Sequence, residues 1–238
     1  MNSTWKSVAL ALFLATAAGA AQGADPAFLS DYSGLKPTAD NAFDQLYIAA
    51  DASARGGQYT AVMVDQPELF VHPDSKYKGM KPDDMKAIAD SLRQAITDEL
   101  KDGYQIVDAP GPNVLYVRFA VADLMLEKKK RPIMAYIPAG AVIYAAKNMM
   151  SDATSKVRLA SMRIEGEVLD SQSLQQLAAM TASRGSLSGK AAEEEPTWDE
   201  MGALFSLVGK RLRCRLDNSR AAADKQANCG AIGLAAAE

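Results

Sequence analysis

The side chains best placed to do chemistry lie close together in VDQPELFVHPD: Asp65, Glu68, His72 and Asp74. His72 is the single histidine of the chain, so any site that needs an imidazole must use it. If the segment runs extended, Glu68, His72 and Asp74 share one face, and three ligands of these types suit a zinc ion. The same group could serve a cell-envelope hydrolase acting on wall or small-molecule substrates. The competing reading is surface polarity on a strand interrupted by Pro67. A serine triad would have to use His72 as well, and no G-x-S-x-G elbow accompanies it. Gly56-Gly57 and the glycines near position 185 lack the strand, loop and helix context of a phosphate-binding loop. No cofactor is expected.

The elements that would carry these residues are legible from periodicity. Val114 to Val121 alternates Leu115, Val117, Phe119 and Val121 with Tyr116, Arg118 and Ala120, the period of a strand half buried in a sheet. This central strand follows the turn Ala109-Pro110-Gly111-Pro112 and ends at Lys128-Lys129-Lys130-Arg131, a solvated stop or an anionic-surface contact. Tyr59 to Val64 is a first strand, which Leu69 to Val71 continues beyond Pro67. Tyr104 to Val107 is a short one, and Val157 to Leu169 a second long one with Arg163, Glu165 and Glu167 on its polar face. Leu174 to Ala182 follows a turn and is taken as a returning strand rather than a helix.

Two long helices cover the sheet. In Pro82 to Lys101 the residues Met85, Ile88, Ala89, Leu92, Ile96 and Leu100 form one apolar stripe, with Asp83 and Asp84 in the first turn and Gly103 as the stop. The last helix opens with the capping box Thr197-Trp198-Asp199-Glu200 and buries Trp198, Met201, Phe205, Val208, Leu212 and Leu216. Its Lys210, Arg211, Arg213 and Arg215 complement the helix dipole. Between the long strands lies the most apolar insertion, 132–150. There Ala139, Val142, Ile143, Ala146 and Met150 recur at helical spacing, so a short amphipathic helix is expected. Its apolar face either packs on the sheet or meets a partner or membrane surface.

Compartment follows from the chain ends. Lys6, the apolar run Val8 to Ala18 and the small residues around Ala21 have the build of a signal peptide, cleaved to begin the mature chain at Ala21 or Ala24. The run is shorter than the roughly 20 apolar residues a spanning helix needs. No cysteine follows it, so the mature protein is expected in the periplasm without lipid. About 215 residues then remain. Net charge is −3, or −4 once Lys6 is removed, which offers no electrostatic footprint for nucleic acid. Cys214 and Cys229, the two cysteines, are read as a disulfide in an oxidising compartment.

Four strings together resemble a bacterial envelope family catalogued as domain of unknown function 3313. They are AFLSDYSGL (27–35), YTAVMVDQPEL (59–69), GYQIVDAPGPNVLYVRFAVAD (103–123) and EGEVLDSQS (165–173). The resemblance implies an envelope location and an α+β domain, and brings no catalytic residues. The chain departs from the family's lipoprotein pattern in lacking a lipobox cysteine, and has Gln172-Ser173 where a Thr-Gly turn is the family's habit.

The resulting expectation is an α+β fold. It has a mainly antiparallel sheet of about five strands, two long helices on one face and the short helical insertion. Its parts are a signal peptide (1–23), an N-terminal arm (24–57) tied down by Phe28, Leu29, Tyr32 and Leu35, one domain (58–217) and a loose tail (218–238). The function expected is an exported accessory module that binds or assembles with an envelope protein or membrane surface. The alternative is a hydrolase or metal-binding protein built on Asp65, Glu68, His72 and Asp74. Convergence of those four side chains in a pocket would favour the alternative, and their dispersal beside an apolar surface would favour the module.

Overall fold

The computed structural model describes residues 28–40, 42–76, 80–128, 157–183, 187 and 198–233. The signal peptide, the insertion with Ala139, Val142, Ile143, Ala146 and Met150, most of the basic run after Lys128 and the cap at Thr197 lie outside them.

The elements in order are β1 (Lys36–Pro37), β2 (Gln45–Ile48), α1 (Ala52–Gly56), β3 (Ala61–Val64), β4 (Glu68–Val71), α2 (Pro82–Leu100), β5 (Gln105–Ile106), β6 (Val114–Lys128), β7 (Val157–Asp170), β8 (Gln176–Ser183) and α3 (Trp198–Arg220). Two 3-10 turns follow, at Ala223–Lys225 and Cys229–Ala231. The strands form one eight-stranded sheet, ordered β1-β2-β8-β7-β6-β3-β5, with β4 also on β6. The expected five strands are therefore too few. The additional ones are two-residue and four-residue pieces at the edges, too short to show a period in sequence.

Hairpin connections make β7 antiparallel to β8, and β6 and β7 also pair antiparallel. On the other side of β6 the pairing is parallel. Ala61 to Val64 lies against Val114 to Val117, and after the break at Pro67, Glu68 to Val71 lies against Ala120 to Leu124. The cause is α2: a helix between strands returns the chain to the starting end, and the next strand runs parallel. The sheet is thus mostly antiparallel with a parallel corner.

α2 and α3 pack on one face through the stripes read from sequence. Ile88, Leu92, Ile96 and Leu100 of α2 and Met201, Phe205, Val208 and Leu212 of α3 meet Leu115, Val117, Phe119 and Val121 of β6 in one core. Gly166 sits in this layer opposite Phe119. A Cβ there would lie 2.5 Å from a Phe119 ring carbon, so the bare backbone is what lets the ring lie flat across β7.

The stretch 24–57 does lie over the domain through Phe28 and Leu29, both buried. It also supplies β1, β2 and α1, with Leu46 opposite Met180 of β8. The tail expected to be loose is ordered through residue 233. Asn218 Nδ2 donates to the Ala227 carbonyl, the Ala227 N–H donates to Asn218 Oδ1, and the Cys214–Cys229 disulfide, with Cα atoms 5.7 Å apart, fixes a fully buried Cys229. The bond spans 15 residues of sequence. Loss of a closed loop of that size is expected to cost about 3 kcal/mol in Cys229→Ser, read from urea unfolding. Thiol labelling of the unfolded, unreduced protein should find no free cysteine; two labels per chain would contradict the bond.

Candidate functional site

The four side chains singled out in sequence are not brought together. Asp65 is exposed and accepts from the Tyr116 hydroxyl at 2.5 Å. Glu68, on β4, turns to Arg118, 3.5 Å away. His72 has left the strand: its N–H donates to the Leu124 carbonyl, and its Nδ1 accepts from the Asp74 N–H at 3.1 Å. The imidazole is thus engaged in a local turn, and the Asp74 carboxylate is exposed. Among the described residues no group of three or more His, Cys, Asp or Glu side chains could hold a metal ion. The proline at 67 and the turn at 73–74 are what break the extended geometry on which a shared face depended.

Charged groups converge elsewhere, on the sheet face away from the helices. Glu165 and Glu167 are 2% and 1% exposed, whereas alternation had placed them on a polar outer face. The cover is the segment around Phe28–Leu35. Glu167 accepts from the Ser30 N–H (2.9 Å), Ser30 hydroxyl (3.1 Å), Gln176 Nε2 (2.9 Å) and Arg118 Nη1 (2.7 Å). Glu165 accepts from the Tyr32 hydroxyl at 2.6 Å. Arg163 Nε lies 2.9 Å from Glu165 Oε1 without hydrogen-bond alignment, and its Nη1 pairs with Asp123 at 3.1 Å. The Phe28 ring closes over the Arg118 guanidinium at 4.8 Å. Each acceptor of Glu167 is engaged by the protein itself, so this layer clamps the N-terminal segment to the sheet. The pairing had a sequence signal: Arg118 and Glu167 occupy matching outer positions on the two long strands. The burial had none, because the covering segment lies 137 residues away in sequence.

The basic residues of α3 make tertiary ties. Arg211, fully buried, donates from Nη1 to the Ala42 carbonyl at 2.7 Å, and from Nε and Nη2 to that of Ile232 at 3.3 and 3.2 Å. Arg215 Nη2 reaches both oxygens of Asp40, at 2.7 and 2.6 Å. Arg220 stacks 3.9 Å over the Tyr104 ring, and burial pushes the Tyr104 phenol up to about 12, so it stays neutral.

Between the inner sheet face and the C-terminal half of α3 lies a cavity of about 150 Å³. Leu46, Leu115, Phe119, Leu177, Leu212 and Leu216 give it an apolar lining. Ser53, Asn218, Ser219, Gln226 and Arg215 supply the polar part. It reaches the surface beside Ile48, an apolar side chain that is 47% exposed. Sequence reasoning missed it, because its walls come from five separated segments and each side chain reads individually as core.

The turn after β7 braces the cavity's Tyr59. Asp170 accepts from the Ser173 N–H (2.8 Å), the Gln172 N–H (3.1 Å) and the Tyr59 hydroxyl (2.8 Å). The Ser173 N–H is the main cause of a carboxyl pKa held down to about 2, with burial opposing it. A depressed folded value means that the stabilisation is complete above the ordinary 3.8 and is lost as pH falls from there towards 2. Asp170→Asn is expected to cost on the order of 2 kcal/mol at neutral pH. It should also flatten the acid limb of the stability profile in that window, read by urea unfolding at several pH values.

Comparison with known proteins decides the family. The model of DUF3313, a protein family of unknown function, matches residues 25–212. The chain belongs to that family. No curated protein matches it. Among solved structures this DUF3313 chain is similar to the PelC dodecamer of Paraburkholderia phytofirmans, at 9% identity and a TM-score of 0.34, over 63% of this chain and 86% of that one. It is also similar to protein XCC0632 of Xanthomonas campestris, of the DUF330 family model. There the identity is 13% and the TM-score 0.32, over 66% of this chain and 87% of that one. Likeness at this level does not carry over what those proteins bind or assemble into.

Proposed function

We propose that this DUF3313 protein is an exported periplasmic accessory module that binds a component of the cell envelope and has no catalytic activity of its own. The observation that carries the reading is a contrast. Asp65, Glu68, His72 and Asp74 point to separate partners, whereas the concave surface among the described residues is apolar and bounded by the sheet, α3 and the disulfide-held tail. Catalysis by general acid and base requires titratable groups within hydrogen-bond reach of one reacting atom. An apolar pocket with a few polar groups suits binding.

Export is supported by the leader-like composition of the first 23 residues and by the Cys214–Cys229 bond, which persists in oxidising compartments. The absence of a lipobox cysteine supports an unlipidated mature chain. Ala139, Val142, Ile143, Ala146 and Met150 are the proposed contact with an envelope protein or membrane surface, on the strength of their helical spacing.

Cell fractionation with in-cell cross-linking of the native protein tests this. The expected result is a periplasmic protein beginning at Ala21 or Ala24 and joined to an envelope component. A protein retained in the cytosol with Met1 intact would overturn it. So would a wall-hydrolysing activity that His72→Ala abolishes.

A further inference from the structure

The cavity behind α3 holds two features that the protein's own packing does not answer. The first is its size and lining: apolar cavities of about this volume stay dry and admit guests the size of benzene, about six carbon atoms. The second is a donor. Arg215 lines the cavity, and while its Nη2 is committed to Asp40, its Nε is buried and has no hydrogen-bond partner among the described residues. A buried N–H without an acceptor is costly, because it has given up water and received nothing. An incoming oxygen acceptor removes that cost, and an incoming alkyl group gains the contacts that the empty space withholds.

We propose that the cavity binds a short acyl chain. The alkyl part of about six carbons lies against Leu115, Phe119, Leu177 and Leu212, and the acyl oxygen accepts from Arg215 Nε. The walls suit an unbranched chain in two further respects. Ile48 at the surface gives the chain an apolar entrance. Gly166 keeps the sheet wall free of a side chain at the level of Phe119. Arg215 already has a carboxylate partner, so it meets the oxygen as a hydrogen-bond donor whether that oxygen belongs to a free acid or to an ester. The inference rests on the binding-module reading and names its ligand class.

The test is a titration of the full mature chain with hexanoate and with methyl hexanoate, followed by NMR. Binding with a dissociation constant on the order of 1 mM or tighter is expected for at least one probe. Binding of hexanoate alone identifies the free acid as the ligand, and binding of methyl hexanoate identifies the esterified chain. Ala178 lines the same space. Ala178→Leu is expected to weaken binding at least tenfold while leaving the unfolding temperature unchanged or higher, because it fills the cavity with protein. Should that variant fail to fold, Ala52→Leu applies the same test from the α1 wall. Arg215→Lys keeps a cation for Asp40 but removes the Nε donor, and a roughly tenfold loss is expected. The inference is overturned if neither probe binds the native chain at about 10 mM, if the filled cavity binds as tightly as the native one, or if Arg215→Lys changes nothing. If neither probe binds while cross-linking still joins the protein to an envelope component, the acyl-chain inference falls and the binding-module reading stands.

Discussion

Replacing Glu167 by alanine is expected to destabilise the protein by about 3–5 kcal/mol, the cost of breaking a buried ion pair from one side. The Glu167 side chain is fully buried, and its carboxylate receives four donors, two of them from Ser30. Removing it leaves the Arg118 guanidinium beneath the Phe28 ring with only the longer contact to Glu68. It also releases the N-terminal segment from the sheet. Urea unfolding measures the loss, and limited proteolysis around Ser30 should show the release. The double replacement Arg118→Met with Glu167→Leu is expected to recover most of the stability, since the pair's desolvation cost disappears with it. A single variant as stable as the native chain would mean that the outer layer is not a clamp.

Arg211→Ala is expected to cost a similar amount, about 3–5 kcal/mol. It strands the Ala42 and Ile232 carbonyls, each worth about 1–3 kcal/mol when buried and unpaired, and empties a fully buried volume. Burial lowers the Arg211 pKa, the charge of Asp40 opposing the shift. Arg211→Met restores the volume without the hydrogen bonds, so it should lie between the alanine variant and the native protein. Equality of Arg211→Met with the native chain would show that packing alone fastens residues 42 and 232 to α3.

Much of this fold is written in local periodicity. The two faces of Val114 to Val121 and of Met162 to Val168, and the stripe Ile88, Leu92, Ile96 and Leu100, are set by the geometry of strand and helix, and each is buried as its spacing implies. β1 and β5 escape notice because two residues have no period, and they are strands only by virtue of the neighbour they pair with. The burial of Glu165 and Glu167 is illegible for a related reason. Nothing in EGEV distinguishes a solvated face from one that Phe28 and Ser30 will cover, since the cover is a long-range event. The Cys214–Cys229 bond was legible because composition and compartment constrain it without reference to tertiary packing. The candidate site was not. Proximity in sequence made Asp65 to Asp74 conspicuous, but Pro67 and the turn at Asp74 send these side chains apart. The cavity, by contrast, is assembled from Leu46, Leu115, Leu177 and Leu212, residues that are ordinary core one at a time.

The contrast between an inert acidic loop and a receptive interior is open to one spatially resolved measurement: methyl NMR spectra of the leucine-labelled and isoleucine-labelled protein, recorded with and without hexanoate. The binding-module account predicts shifts of the Leu46, Leu115, Leu177 and Leu212 methyls, which line the cavity, with Leu92 and Ile96 of α2 as stationary references. Shifts confined to Leu69, between Glu68 and His72, with the cavity methyls unmoved, would contradict it and return the search for function to the acidic loop.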